Sequence, residues 1–168
     1  MKHTTLFLFT LFYIAFISTG HAEQLNFKIP KNYKIAFKKQ NNNQSIIEFI
    51  RRSESLKNWT RMVTIQSFKY IKEYKPEPFI LNMAKLARRQ CGTTQVFPVK
   101  NGKQNGYPFS HKVIVCDPNK FTKIPETMNI KAIKGKNKFY VAQVSNRVDI
   151  DEKEMKFWAN YLRDIVIK

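Results

Sequence analysis

The sequence predicts a single α+β domain, a mostly antiparallel sheet of about six or seven strands packed against two helices and stapled by one disulfide. Three observations carry this. Apolar residues alternate with polar ones in short segments joined by turn-rich stretches. Only two later segments show apolar recurrence at three and four. The chain has two cysteines, Cys91 and Cys116, and begins with an export-type leader.

In the first hairpin, Tyr33, Ile35 and Phe37 alternate with Lys34, Ala36 and Lys38, the rhythm of a strand. Asn41-Asn42-Asn43 turns the chain, and Ser45 to Arg51 returns as a second strand carrying Ile46, Ile47, Phe49 and Ile50. Ser53 to Trp59 reads as a turn or short helix with Ser55 as its cap. Arg61 to Phe68 follows as a third strand rich in Val, Thr and Ile.

Pro76 and Pro78 open a helix, because proline is tolerated in a first turn. Phe79, Ile80, Met83, Ala84 and Ala87 give it one apolar face, Arg88 and Arg89 fall in its last turn, and Gly92 stops it. Gln95 to Lys100 and His111 to Cys116 read as strands joined by a polar Asn-Gly-rich loop. Asn129 to Lys134 and Phe139 to Asn146 form a hairpin around Gly135. A final helix starts at Asp149 or Asp151, has Glu152 and Glu154 at its positive end, and buries Met155, Trp158, Ala159, Leu162, Ile165 and Val166. Residues 23–31 read as a loose arm.

The leader has the three-part plan of a secretory signal. Lys2 and His3 precede an apolar run from Leu6 to Ile17, and Gly20 and Ala22 supply the small side chains a signal peptidase requires. Residues 1–22 are expected to be removed between Ala22 and Glu23. The run is short against the roughly 20 apolar residues that a membrane-spanning helix needs. Position 23 is not Cys, which argues against lipidation. The expected location is therefore the periplasm, and from there the medium.

Cleavage leaves His111 as the one remaining histidine and removes a single lysine from a chain whose formal net charge is +18. In an oxidising compartment Cys91 and Cys116 are most simply read as one disulfide. One His and two Cys without a C-x-x-C spacing make a poor metal shell, so neither metal nor cofactor is expected. No G-x-S-x-G, H-E-x-x-H, P-loop or G-x-G-x-x-G pattern occurs. His111 beside Lys112 reads as an ordinary surface residue. The acids of 149–154 are explained by capping, and Glu48 and Glu54 are weak acid–base candidates. No catalytic residue is assigned. Asn43-Gln44-Ser45 and Asn58-Trp59-Thr60 fit the glycosylation pattern, which matters only in a eukaryotic secretory pathway.

Positive charge is the large signal. Lys131, Lys134, Lys136 and Lys138 crowd one hairpin. Arg51, Arg52, Lys57 and Arg61 bracket the Trp59 turn, and Lys100, Lys103 and Lys112 flank the long loop. Such a field draws anionic partners. Anionic membrane lipids and polyanionic glycans are the expected ones, ahead of nucleic acid, for which the fold offers no reader. The expected function is a secreted, non-catalytic protein that binds phosphorylated lipid head groups of a host membrane. The alternatives are a small carboxylate hydrolase acting on a polyanion and a module that binds a host or secretion-machinery protein.

The segment Ser55-Leu56-Lys57-Asn58-Trp59-Thr60-Arg61-Met62-Val63-Thr64-Ile65-Gln66 resembles a recurring stretch of small exported proteins of proteobacteria. The tail Phe139-Tyr140-Val141-Ala142-Gln143, followed by Glu154, Trp158, Tyr161 and Leu162, is similar to the ending of the same group. The Lys-, Asn- and Ile-rich style resembles substrates of the type II secretion system in Legionella-like intracellular bacteria. The resemblance implies a route through the periplasm, with folding and disulfide formation before release. It implies no catalytic residues.

Overall fold

The computed structural model describes residues 23–69, 73–118, 120 and 123–168. The expected leader, residues 1–22, lies outside them. In chain order the first elements are β1 (Leu25–Asn26), β2 (Tyr33–Gln40), β3 (Gln44–Arg51), β4 (Arg61–Lys69) and α1 (Pro76–Ala87). They are followed by β5 (Thr94–Gln104), β6 (Tyr107–Cys116), β7 (Glu126–Lys134), β8 (Lys138–Asn146), α2 (Glu152–Arg163) and β9 (Val166–Ile167). Seven strands form one antiparallel sheet in the order β2-β3-β4-β8-β7-β6-β5, and β1 pairs with β9 in a small second sheet.

Local chemistry sets the hairpins. Asn41 turns β2 into β3 because its Oδ1 accepts from the backbone N–H groups of Asn43 and Gln44, both at 2.9 Å. Asn105 and Gly106 have φ of 52° and 82°, the left-handed pair that a tight two-residue hairpin requires. The long polar loop expected between residues 100 and 111 is therefore paired strand on both sides of that turn.

The two helices cover opposite faces of the sheet. Along β8, Phe139 and Val141 pack with Ile80 and Ala84 of α1, while Ala142 and Val144 pack with Trp158 and Leu162 of α2. Alternation in a strand sends neighbours to opposite faces, and β8 is apolar on both because each face carries a helix. Lys112 of β6 reaches Glu77 in the first turn of α1 at 2.6 Å. The Cys91–Cys116 disulfide joins the segment after α1 to the end of β6, with Cα atoms 5.4 Å apart.

Two expectations are corrected, the loose arm and the end of the last helix, and two open alternatives are resolved. The arm of residues 23–31 is not loose, since β1 pairs with β9 and Gln24 and Lys168 exchange backbone hydrogen bonds at 3.1 and 3.0 Å. Ser53 to Trp59 forms turns without a helix. The cap of α2 is Asp151, which accepts from the Glu154 N–H at 2.7 Å. That helix ends at Arg163, so Ile165 reaches the core from the turn that follows and Val166 belongs to β9.

Candidate functional site

The expected anion-binding residues separate by burial. Lys131 is 1% exposed, Lys112 5% and Arg61 9%, so none offers its charge to an outside ligand. A buried charge needs internal partners, and each has them. Lys112 pairs with Glu77, and Arg61 pairs with Glu154. The Lys131 ammonium donates to the carbonyls of Leu162 (3.1 Å), Arg163 (2.9 Å) and Ile165 (2.7 Å), and to Oε1 of Gln104 (2.7 Å). The last carbonyls of a helix lack intrahelical donors, and Lys131 supplies them to α2 from the sheet beneath. Burial is the main cause that pushes its pKa down to about 8.

His111 is likewise not a surface residue. It is 3% exposed, and its Nε2 lies 2.7 Å from Oδ1 of Asn129. Its pKa is lowered first by burial and then by the Lys131 charge directly across the strand pair. Lys112, the sequence neighbour, points to the other face.

The remaining cations fall in three places. Lys134 and Lys136 border a 490 Å³ hollow with Asn105 and Tyr107, and the half-buried Lys138 opposes Lys69 across β4 and β8. Lys100 and Lys103 line a 310 Å³ cavity beside α2. Arg51 and Arg52 border a larger cleft of about 910 Å³, enclosed by the arm, the end of β3 and one flank of α2.

That cleft is built from chain-distant parts. The arm contributes Lys28 and Lys31, and β1–β9 pairing holds it beside α2. The carbonyl of Lys28 accepts from the Tyr161 hydroxyl at 2.9 Å. Helix α2 contributes Glu154, Phe157, Trp158 and Tyr161, a three-and-four spacing that makes a second stripe beside the buried one. Tyr33 stands edge-on to Trp158 with centroids 6.3 Å apart. Its hydroxyl is buried, and burial raises its pKa against the opposing influence of the neighbouring Arg51 guanidinium.

Four cations thus meet four aromatic rings. Glu154 is the one carboxylate in this lining, and it is held by Arg61 and by the Trp158 indole N–H at 3.3 Å. At the rim Ile29 and Phe157 are 50% and 56% exposed. Glu48 lies on the opposite face of the sheet, where burial raises its pKa, and Glu54 accepts from the Thr60 hydroxyl. The acids considered from sequence do not converge on the cleft. Sequence reading missed Lys28, Lys31, Tyr33, Phe157 and Tyr161. The aromatic stripe of 154, 157, 158 and 161 is the signal that points to them.

Fold and site together define a disulfide-stapled α+β domain with a cation-and-aromatic cleft on one flank of its C-terminal helix. A protein-family model matches residues 20–167, and the chain belongs to that family. No curated protein matches it. Among solved structures it is similar to a mutant of the protein Mog1 at 9% identity, over 84% of this chain and 85% of the other, with a TM-score of 0.47.

Proposed function

We propose that this protein is an exported, non-catalytic module that docks on membranes carrying phosphorylated lipid head groups. The carrying observation is the convergence of Lys28, Lys31, Arg51 and Arg52 on one cleft whose rim exposes Ile29 and Phe157. The cations suit head-group phosphates, with arginine able to engage them through two parallel N–H donors. The rim side chains suit the acyl boundary just below.

Magnitudes support an assembled surface over any single contact. Each cation near an anionic leaflet contributes about 1 kcal/mol, so four give roughly 4. Partial burial of two large apolar side chains adds about 3 kcal/mol. The sum of about 7 kcal/mol corresponds to a Kd on the order of 10 μM. The export leader and the likeness of Ser55 to Gln66 to exported proteobacterial proteins support an extracytoplasmic site of action. A carboxylate hydrolase needs two acids in one cleft, whereas Glu154 is the one acid among the described lining residues, and Arg61 holds it.

Co-sedimentation with phosphatidylcholine vesicles, with and without a phosphoinositide, tests this reading at low and high salt. Binding is expected only to the anionic vesicles, falling steeply with salt, and Phe157→Ser is expected to weaken it about tenfold. Equal binding to neutral vesicles, or none to either, rejects the reading.

A further inference from the structure

The opposite flank of α2 carries a cavity of different character. It measures 310 Å³, and Lys100, Lys103, Arg163, Gln104, Asn160 and His111 supply its polar lining, with no carboxylate among them. A bulge in β5 between Pro98 and Lys100 builds it. Strict alternation would send Lys100 to the α1 face with Pro98; the extra residue, Val99, turns Lys100 to the α2 face, directly opposite His111.

His111 is the unusual member. It is nine-tenths buried, its Nε2 is committed to Asn129, and the ring makes no second hydrogen bond among the described residues. Nδ1 is therefore the nitrogen left for a ligand. The charges around the ring come from three elements: Lys100 and Lys103 from β5, Lys131 from β7, and Arg163 with the neighbouring Asp164 from α2. Arg163 also donates to Oδ1 of Asn160 at 2.9 Å, which orients its guanidinium along the cavity wall. Burial, with the Lys131 charge adding to it, lowers the pKa of the imidazole against the Asn129 hydrogen bond.

We propose that this cavity is a second site, separate from the aromatic cleft, that takes the phosphate group of a phosphate monoester. Lys100, Lys103 and Arg163 supply the positive charge, and His111 shares one proton with the phosphate. A dianionic phosphate suits three cations of which only Arg163, among the described residues, is also paired with an acid, through its Nε to Asp164 at 3.1 Å. Its second ionisation near pH 6 lies close to that of an imidazole. When the dianion enters, one proton is taken from solvent and held between Nδ1 and a phosphate oxygen. No other bond is made or broken. Affinity therefore falls as pH rises through the His111 titration, by about tenfold in all for a pKa that binding raises by about one unit.

Because His3 and His21 precede Glu23, the chain from Glu23 onward has His111 as its one histidine, and every described element lies within it. Imidazole nitrogen NMR of that chain therefore reads the site without assignment. Titration with glycerol 3-phosphate should give a saturable shift of the His111 signals and raise its apparent pKa by about one unit. Lys100→Gln combined with Lys103→Gln, both exposed positions, should abolish the shift while backbone spectra confirm the fold. Vesicles carrying a phosphoinositide are the second probe. A His111 shift with vesicles as well assigns the monoester to a lipid, and a shift with glycerol 3-phosphate alone assigns it to a soluble ester. The Lys31→Glu, Arg52→Glu variant should keep the glycerol 3-phosphate response, even though it loses vesicle binding through the cleft. No saturable shift with either probe overturns the proposal, as does a shift unchanged by the Lys100→Gln, Lys103→Gln pair.

Discussion

Lys131→Met removes an ammonium that four acceptors share, and the consequence can be worked acceptor by acceptor. Oε1 of Gln104 and the Arg163 carbonyl lie where water can replace the lysine, and Arg163 keeps a bond from Gln104 Nε2 at 3.1 Å. The Leu162 carbonyl keeps the Ile165 backbone N–H at 3.2 Å, whereas the Ile165 carbonyl is buried and loses its donor. That one buried orphan costs about 1–3 kcal/mol, and the weakened tie between α2 and β7 adds to it, partly offset by no longer burying a charge. The expected loss is about 1–3 kcal/mol, read as a lower urea midpoint at neutral pH with an unchanged slope.

A second arm of the same experiment uses pH. Burial holds the Lys131 pKa near 8, against 10.5 for an exposed lysine, so between these values the unfolded chain binds more protons than the native one. Stability from this group therefore rises with pH across that window, by roughly 3 kcal/mol in full. Comparison with Lys131→Met isolates it from tyrosine ionisation, because the gap between the two proteins should widen from about pH 8 toward 10.5. A loss under about 0.5 kcal/mol at neutral pH, the scatter of ordinary surface substitutions, would refute the claim that Lys131 completes the C-terminus of α2.

Two further outcomes follow from buried partners. Reducing Cys91–Cys116, or replacing both with Ser, should cost about 3 kcal/mol for a separation of 25 residues; an unchanged urea midpoint with reductant would contradict it. Glu154→Ala strands the Arg61 guanidinium beneath α2 and should cost about 3 kcal/mol, with Arg61→Met in the same chain restoring most of it. A double variant no more stable than Glu154→Ala would show that stranded charge is not the cause.

The strands were legible where alternation had one explanation. Tyr33 to Lys38 forms a strand as its alternation predicts, although of Tyr33, Ile35 and Phe37 only the first is buried, and the other two stay exposed on this bulged edge strand. Residues 139–146 are apolar on both faces, and from sequence alone that fits helices on either side or on both. Lys131 shows the limit for the site. Beside Lys134 and Lys136 it looks like one more surface cation, yet its partners are carbonyls more than thirty residues later that reach it only once α2 packs on β7. The 910 Å³ cleft was hidden for the same reason, since Lys28 and Phe157 meet only because β1 pairs with β9. Lys100 needed a bulge that nothing but Pro98 in an edge strand signals.

The central claim is that the cleft, and not the lysine-rich hairpin, meets the membrane. Its most direct test is co-sedimentation of two reversal variants with phosphoinositide vesicles at one salt concentration. Lys31→Glu with Arg52→Glu alters the cleft; Lys134→Glu with Lys136→Glu makes the same charge change at the β7–β8 turn. The first pair is expected to abolish binding and the second to leave it within about threefold, the part due to net charge alone. Loss of binding in the hairpin pair, with the cleft pair unaffected, would contradict the account.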